Sequence, residues 1–458
     1  MTDRVLFWFR RDLSLEDNLG WAAATAEHRE VLPVFVLDPR LLASAGPIRR
    51  RALVDHLSAL DAELRLSGGC LTVVEGRAEE VVPRLAAEHR TRAVRWNSDV
   101  TGFSAARDAS VRSSLDSAGV VVSTTWSTLI HPPRSVLTSA GTVHKVFSGF
   151  HLRWSALPVL SRCVSGDASI LAVERDPIPG SDDIELPWTV GPLAARSRLA
   201  DLGSSVDRYD VERDRPDIDA TSRLSADLRF GSISPREVLR AVGASSAGRQ
   251  ALVRQLAWRD WYAHLFSERP DLVDHEQQVA YETIAWVDDP EEIDAWKDGM
   301  TGYPIVDAGM RQLRATGWMH NRVRLVAASF LVKDLLVDWR IGERHFRRHL
   351  IDGDVPQNAG NWQWCAGTGP DAAPYFRVFN PLTQARRFDP DGDYVRRWVP
   401  ELSTLPGGSI HAPWELGPIE LAAAGVTIGD TYPERIIDHA VARDRALAVY
   451  GAARAEVG

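Results

Sequence analysis

Short apolar runs separated by amphipathic stretches fill the first part of the chain. VLFWF (5–9), VLPVFVL (31–37), LTVV (71–74), AVRW (93–96) and VVVSTTW (120–126) have the near-continuous apolar character of strands buried on both faces. Between the second and third runs, PIRRRALVDHLSALDAELRLSGG places Leu53, Leu57, Leu60 and Leu64 on one helical face. Pro47 sits at its start, and Gly68 and Gly69 sit at its stop. Strands alternating with helices in this way predict a doubly wound parallel α/β sheet over residues 1–128. Ligands of such sheets bind beyond the carboxyl ends of the strands.

From 129 to 195 the pattern loosens into HPPRSVLTSAG and ERDPIPGSDD, which reads as an inter-domain connector with short helices. Beyond it, PREVLRAVGA, ALVRQLAWRDWYAHLF, YPIVDAGMRQLRATG and NRVRLVAASFLVKDLLVDW space their apolar residues by three or four. That period predicts an all-α C-terminal domain over 196–458. At 458 residues the chain exceeds the size at which a single core stops growing, about 250–300 residues, so two domains agree with length as well as with pattern.

Composition adds exclusions. The run LVAASFLVKDLLVDW is broken by Lys333 and Asp334, short of the ~18 apolar residues a membrane span needs. The N-terminus has no apolar export signal, and a cytoplasmic protein is expected. Three distant cysteines, Cys70, Cys163 and Cys365, make neither a disulfide framework nor a CxxC site. The net charge of −9 disfavours nucleic acid on average. However, residues 311–350 carry nine basic side chains against three acidic ones, and ten of the 16 tryptophans lie at or beyond position 258. Local basicity joined to aromatic surface suits unstacked bases.

Few motifs carry chemistry by themselves. No GxGxxG or GxxxxGK[ST] occurs, so neither a Rossmann turn nor a P-loop holds a nucleotide. Thr221, Ser222, Arg223 and Ser225 open a helix with hydroxyls, N–H groups and a guanidinium that can converge on a pyrophosphate, although Ser and Thr there also serve as simple caps. DPDGDYVRRWVPE imitates a calcium loop but has Tyr394 where Gly is needed and Pro400 where a carboxylate is needed. No metal site is expected. IDGDVPQNAGNWQWCAGTG sets Asp352 and Asp354 ahead of Trp362 and Trp364. Two carboxylates there suit a cation such as Arg324, or a ring with N–H donors such as a flavin.

Taken together, TSRLS, QLAWRDWY, TGYPIVDAGMRQLRATGWMHNRVR, ASFLVKDLLVDWR and IDGDVPQNAGNWQW, in this order and between WFRRDLSLEDN and YVRRWVPEL, resemble the photolyase/cryptochrome family of flavoproteins, most closely its class I cyclobutane pyrimidine dimer photolyases. The resemblance implies an N-terminal antenna-chromophore domain and a helical FAD-binding domain. It implies that Tyr209, Thr221, Ser222, Arg223, Leu224 and Ser225 hold the phosphates and ribityl chain. Gln255, Arg259, Arg324, Asp352 and Asp354 lie near the flavin, with Arg324 paired to Asp352, and Asn358 faces its N5. Trp362, Trp339 and Trp286 correspond to an electron relay from flavin to surface. Gln255, Trp258, Arg322, Leu325, Trp364 and Arg377 correspond to contacts with UV-damaged DNA. The implied activity is light-driven repair of pyrimidine dimers by reduced FAD. A flipped lesion is reached in a pocket, and the polar residues around Trp362 and Trp364 suit a site that admits nucleic acid.

The sequence departs from that pattern at three places. Gln255 stands where many such photolyases carry Glu, Leu325 where they carry Met, and Ala359 follows Asn358 where they carry a second Asn. Only His320 of the His pair used in (6-4) repair is present, which argues against that activity. Phe103 and Ser104 replace the Asn-Glu pair of folate-type antennas, which favours a deazaflavin over methenyltetrahydrofolate. The rival expectation is a cryptochrome-like blue-light photoreceptor. The short segment after YVRRWVPEL favours repair, and a monomer is expected.

Overall fold

The computed structural model describes residues 3–173, 178, 184–372 and 374–455. The stretch ERDPIPGSDD lies, apart from Ile178, outside the described residues. Every predicted apolar run forms a strand: β1 (Arg4–Phe9), β2 (Glu30–Leu37), β3 (Thr72–Glu75), β4 (Ala93–Asn97) and β5 (Val121–Thr125). All pair in parallel, in the order β3-β2-β1-β4-β5. Val5, Leu6, Phe7 and Phe9 of the central strand are fully buried, so both faces of β1 are covered and its sequence shows no alternation. A two-residue strand, β6 (Ser169–Ile170), pairs with the start of β2. It falls in the expected connector and is too short to show a period.

Helix α1 (Pro47–Leu66) begins at the predicted proline and ends just ahead of Gly68 and Gly69. Ala52, Leu57, Leu60 and Leu64 are buried, while Leu53 at the edge of the stripe is half-buried. Burial of Leu57, Leu60 and Leu64 favours the fold by about 1.5–3 kcal/mol each.

The chain divides into two compact units. One comprises 1–210, 222–271 and 351–356; the other comprises 211–221, 272–350 and 357–458. The first unit therefore holds the sheet together with α2 (Phe147–Ala156), α3 (Ser225–Phe230), α4 (Pro235–Val242) and α5 (Ala247–Glu268). Two buried polar groups fasten α4 and α5 to the segment after β5. The Arg236 guanidinium donates to the carbonyls of Ser127 and Leu129 at 2.9 and 3.1 Å. The Asp260 carboxylate accepts from the Ile130 and His131 N–H groups at 3.1 and 3.0 Å and from Trp154 Nε1 at 2.9 Å.

The second unit is built from helices, among them α6 (Asn321–Ser329), α7 (Trp339–His349), α8 (Val355–Ala366, shared with the first unit) and α9 (His439–Ala455). Its strand-like pairing among the described residues is limited to isolated bridges such as Val287 with Val337. A π turn at Phe330–Asp334 follows α6. It carries the buried Lys333, whose ammonium donates to the Ala366 carbonyl at 2.8 Å and lies 3.3 Å from the centre of the Tyr450 ring.

Candidate functional site

In the first unit the strand order reverses direction at β1 and β4, and the crevice beyond their carboxyl ends is where such sheets bind ligands. Arg10 and Arg11 follow β1, and Asp99 follows β4. Arg11 pairs with Asp99 at 3.1 Å and also with Asp354. Gly231 makes this arrangement possible. Its φ is +67°, and a Cβ there would lie 2.1 Å from the Arg11 carbonyl oxygen, so only glycine lets α3 end against the tip of β1. Leu13 N–H donates to the Phe230 carbonyl at 3.0 Å at the same junction. Arg229, one residue before Phe230, donates from Nε to the Gly353 carbonyl at 2.8 Å.

The result is a concentration of buried positive charge. Burial, with Arg11 and Arg49 nearby, holds the Arg229 guanidinium well below its ordinary range. Burial and Arg11 bring Arg259 down to about 10. Burial would raise the Asp99 carboxyl, but the Arg11 and Arg10 charges overcome it and hold the group well below the usual carboxylate range. Asp354, which the sequence associates with a flavin ring, is thus ion-paired to the N-terminal sheet. Asp352 is 9% exposed.

The TSRLS stretch enters α3 through Arg223 at φ +49° and Leu224 as cap residue, and no side chain caps the helix N-terminus. The Arg223 guanidinium leans on the Trp188 ring, 5.5 Å from its centre. In the second unit the Thr221 hydroxyl is buried with no partner among the described residues. An orphaned buried hydroxyl fits a ligand rich in oxygen and nitrogen atoms able to bond it. Tyr209 is half-buried at the start of a short helix, Tyr209–Glu212.

Gln255, Trp258 and Arg259 share one face of α5, at spacings of three and four. Gln255 Nε2 donates to the Ala251 carbonyl at 3.0 Å, which commits one of its two N–H donors and leaves the other with Oε1. Trp258 is half-buried and stacks on Phe147 of α2, with ring centres 3.6 Å apart and planes 7° from parallel. Arg259 donates to the carbonyls of Thr128 and Leu228, the latter at 3.1 Å.

In the second unit α7 and α8 meet at a glycine. A Cβ on Gly342 would fall 2.1 Å from Trp362 Cη2, so the glycine admits the indole. Trp362 is 2% exposed and lies edge-on to Phe346 and Trp296, at 5.0 and 6.1 Å between ring centres. Asn358, one turn earlier on α8, donates from Nδ2 to the Glu343 carbonyl and to Glu343 Oε1, both at 2.9 Å. Burial raises the Glu343 carboxyl, and Arg347 and the Asn358 bond oppose the shift.

Trp339 opens α7, one turn from Gly342, and is fully buried. Its Nε1–H donates to Glu276 Oε1 at 3.1 Å. Trp286 is half-buried and edge-on to Tyr450 at 6.2 Å. Trp364 is also half-buried.

On α6, Arg322 pairs with Asp214 at 2.8 Å and lies 4.3 Å from the centre of the Phe388 ring. Arg324 donates from Nε to the Met319 carbonyl at 2.8 Å, and Leu325 is half-buried. Arg377 is exposed. The basic island of 311–350 is partly answered by acids from elsewhere in the chain. Arg311 pairs with Glu401, Arg314 with Asp298, and Arg340 with Glu276. Reading charge along the sequence overstates the bare cationic surface.

Comparisons with known proteins place the chain within a family. A family model described as "DNA photolyase" matches residues 5–163, and one described as "FAD binding domain of DNA photolyase" matches 252–452. The deoxyribodipyrimidine photo-lyase of Halobacterium salinarum is 39% identical, over 98% of this chain and 99% of its own. A bacterial class III photolyase from Agrobacterium tumefaciens superposes with a TM-score of 0.93 at 37% identity, covering 99% of this chain and 98% of its own. An archaeal photolyase from Sulfolobus tokodaii, described with two FAD molecules, gives 0.86 at 34%, covering 98% and 100%. The parallel-sheet unit and the helical unit define a flavoprotein of the light-driven repair type. The chain belongs to the DNA photolyase family.

Proposed function

We propose that this protein is a deoxyribodipyrimidine photo-lyase, an enzyme that splits cyclobutane pyrimidine dimers in UV-damaged DNA under blue light. The observation that carries the reading is the 39% identity to a protein of that name across 98% of the chain. The held amide of Asn358 is its local support. Bound FAD, when reduced and excited, supplies the electron that opens the dimer. Tyr209, Thr221, Ser222, Arg223, Leu224 and Ser225 hold its phosphates and ribityl chain, while Arg259, Arg324, Asp352 and Asp354 surround its ring. Asn358 presents its Oδ1 towards N5, because both amide hydrogens are taken by Glu343. Trp362, Trp339 and Trp286 pass electrons inward from the surface to restore the reduced cofactor. Trp258 and Trp364 grip the flipped lesion, Gln255 offers its Oε1 to a base edge, Leu325 packs beside it, and Arg322 and Arg377 contact phosphates.

A second chromophore belongs to the first unit, at the crevice where Arg11, Arg49 and Arg229 concentrate charge beyond the ends of β1 and β4. Phe103 and Ser104, in place of the Asn-Glu pair of folate-type antennas, favour a deazaflavin over a folate. Mass analysis of the chromophores released by acid tests that choice. The enzyme acts in the cytoplasm as a monomer.

The test of the activity is purified protein with a dimer-containing oligonucleotide under blue light, against a dark control. Intact thymines should reappear only in the light. Their failure to reappear with fully reduced flavin would reject repair and leave the photoreceptor reading.

A further inference from the structure

Trp339 differs from the other two relay candidates in what its indole nitrogen touches. Its Nε1–H donates to the carboxylate of Glu276 at 3.1 Å, with the tryptophan 0% and the glutamate 3% exposed. The second Glu276 oxygen accepts from Arg340 Nη2 at 2.6 Å, and Arg340 Nη1 reaches Asp338 at 3.1 Å. The guanidinium also lies over the Trp339 ring, 4.8 Å from its centre. An indole that has given up an electron is positive, so its stability depends on the sum of these charges.

Two effects oppose one another. The carboxylate draws positive charge onto the indole, and the stacked guanidinium repels it. The carboxylate prevails for two reasons. It is nearer and joined through the Nε1–H itself, where the positive charge of an oxidised indole is concentrated. The single guanidinium is moreover shared between two carboxylates, Glu276 and Asp338, so the group around the ring carries one negative charge overall. Glu276 itself is buried, so its charge is weakly screened at the indole.

We infer that Glu276 is a positioning and tuning residue that stabilises the oxidised form of Trp339 as the hole passes along the relay. This rests on the relay reading given above. When Trp362 has lost an electron towards the flavin, one electron passes from Trp339 to Trp362. Trp362 returns to a neutral indole and Trp339 carries the positive charge. The Nε1 proton shifts along its hydrogen bond towards Glu276 without leaving the pair, so no other donor or acceptor is needed. The charge-assisted bond slows the return of the electron and lengthens the charge-separated state.

The test joins two readouts. In the FAD-loaded protein kept in the dark, the Trp339 indole N–H resonance should stand downfield and move upfield in Glu276→Gln, reporting the bond independently of any photochemistry. In the FAD-loaded protein, transient absorption after a flash should show the oxidised-indole lifetime shortened at least about threefold in Glu276→Gln. The lifetime should be lengthened in Arg340→Gln and largely restored in Glu276→Asp, which keeps the charge. If the N–H resonance moves while the lifetime stays unchanged, or if Glu276→Gln and Arg340→Gln both shorten it equally, Glu276 serves packing only and the inference is overturned. Trp339→Phe separates the two levels: if it leaves flavin photoreduction unchanged, the relay reading itself is lost.

Discussion

Glu343 holds Asn358 by both amide hydrogens, one through its backbone carbonyl and one through its side chain, each at 2.9 Å. The consequence is directional: an amide tied down at nitrogen faces outward with oxygen. Glu343→Leu removes one acceptor and leaves a buried donor unpaired, a cost of about 1–3 kcal/mol. Expected outcomes are a melting temperature lowered by several degrees and a fully reduced flavin that oxidises faster in air. Glu343→Gln, which can still accept through its carbonyl, should lie between this variant and the wild type. Stopped-flow absorbance after admission of oxygen, together with thermal unfolding, checks both.

Gly342 is the point where α7 admits Trp362. Replacement by alanine puts a methyl group 2.1 Å from Cη2 and 2.5 Å from Cζ3 of the indole. The ring cannot retreat easily, because Phe346 and Trp296 lie against it. Overpacking of this kind costs about 1–3 kcal/mol, and the displaced ring should slow flavin photoreduction more than repair by pre-reduced enzyme. Urea unfolding and paired light assays measure the two effects. Equal loss of both activities would separate Trp362 from the relay.

Much of the fold was legible because its strands are buried on both faces and its main helices have clear stripes. The strands at 5–9 and 93–96 and the helix starting at Pro47 follow from pattern alone. The borders at 128 and 195 follow composition, whereas the compact units follow contacts such as Arg236 and Asp260 with residues 127–131, which no local pattern encodes. The candidate site was legible only where a motif named it. Arg11, Asp214, Glu276 and Glu343 reach Asp354, Arg322, Trp339 and Asn358, which lie 15 to more than 300 positions away, and spacing carries no trace of these contacts. Glu343 left one signal, a lone acid within the basic helix 339–349. Gln363, read as part of a polar site admitting nucleic acid, is 1% exposed. It donates to the Leu272 and His275 carbonyls at 2.7 and 2.9 Å and accepts from the Gln277 N–H at 3.2 Å, so its polarity serves the backbone of 272–277.

Lys333 sets a pH dependence of stability. Burial brings its ammonium down to about 7 from 10.5. Below pH 7 the amine is protonated in folded and unfolded chains alike. Between about 7 and 10.5 the unfolded chain holds a proton that the fold does not, so this group makes stability rise with pH across that window, by up to about 1.4 kcal/mol per unit. Lys333→Met should abolish the rise and unfold at a higher urea concentration than wild type at pH 7. The difference between the two proteins isolates the lysine from Cys365, whose thiol burial pushes up to about 12 and whose contribution has the opposite sign. Urea midpoints at pH 7, 8, 9 and 10 check the slope.

Arg322 must part from Asp214 before a phosphate can take the same guanidinium. The pair is only partly exposed, 19% and 30% at the two side chains, and the Phe388 ring below it fixes the guanidinium in place. If Arg322 contacts a DNA phosphate as proposed, Asp214 occupies that phosphate's position and competes with DNA. Asp214→Asn should raise affinity for a dimer-containing duplex about three- to tenfold at low salt. It should also steepen the dependence of log affinity on log salt by about one, the signature of one added phosphate contact. Arg322→Ala should weaken binding and make that slope shallower, and the double variant should behave as Arg322→Ala, because the acid has nothing left to compete for. Fluorescence anisotropy across a salt series measures all three. Weaker binding by Asp214→Asn would mean instead that the carboxylate aims the guanidinium at the phosphate, so that the pair is preparation for binding and not a competitor to it.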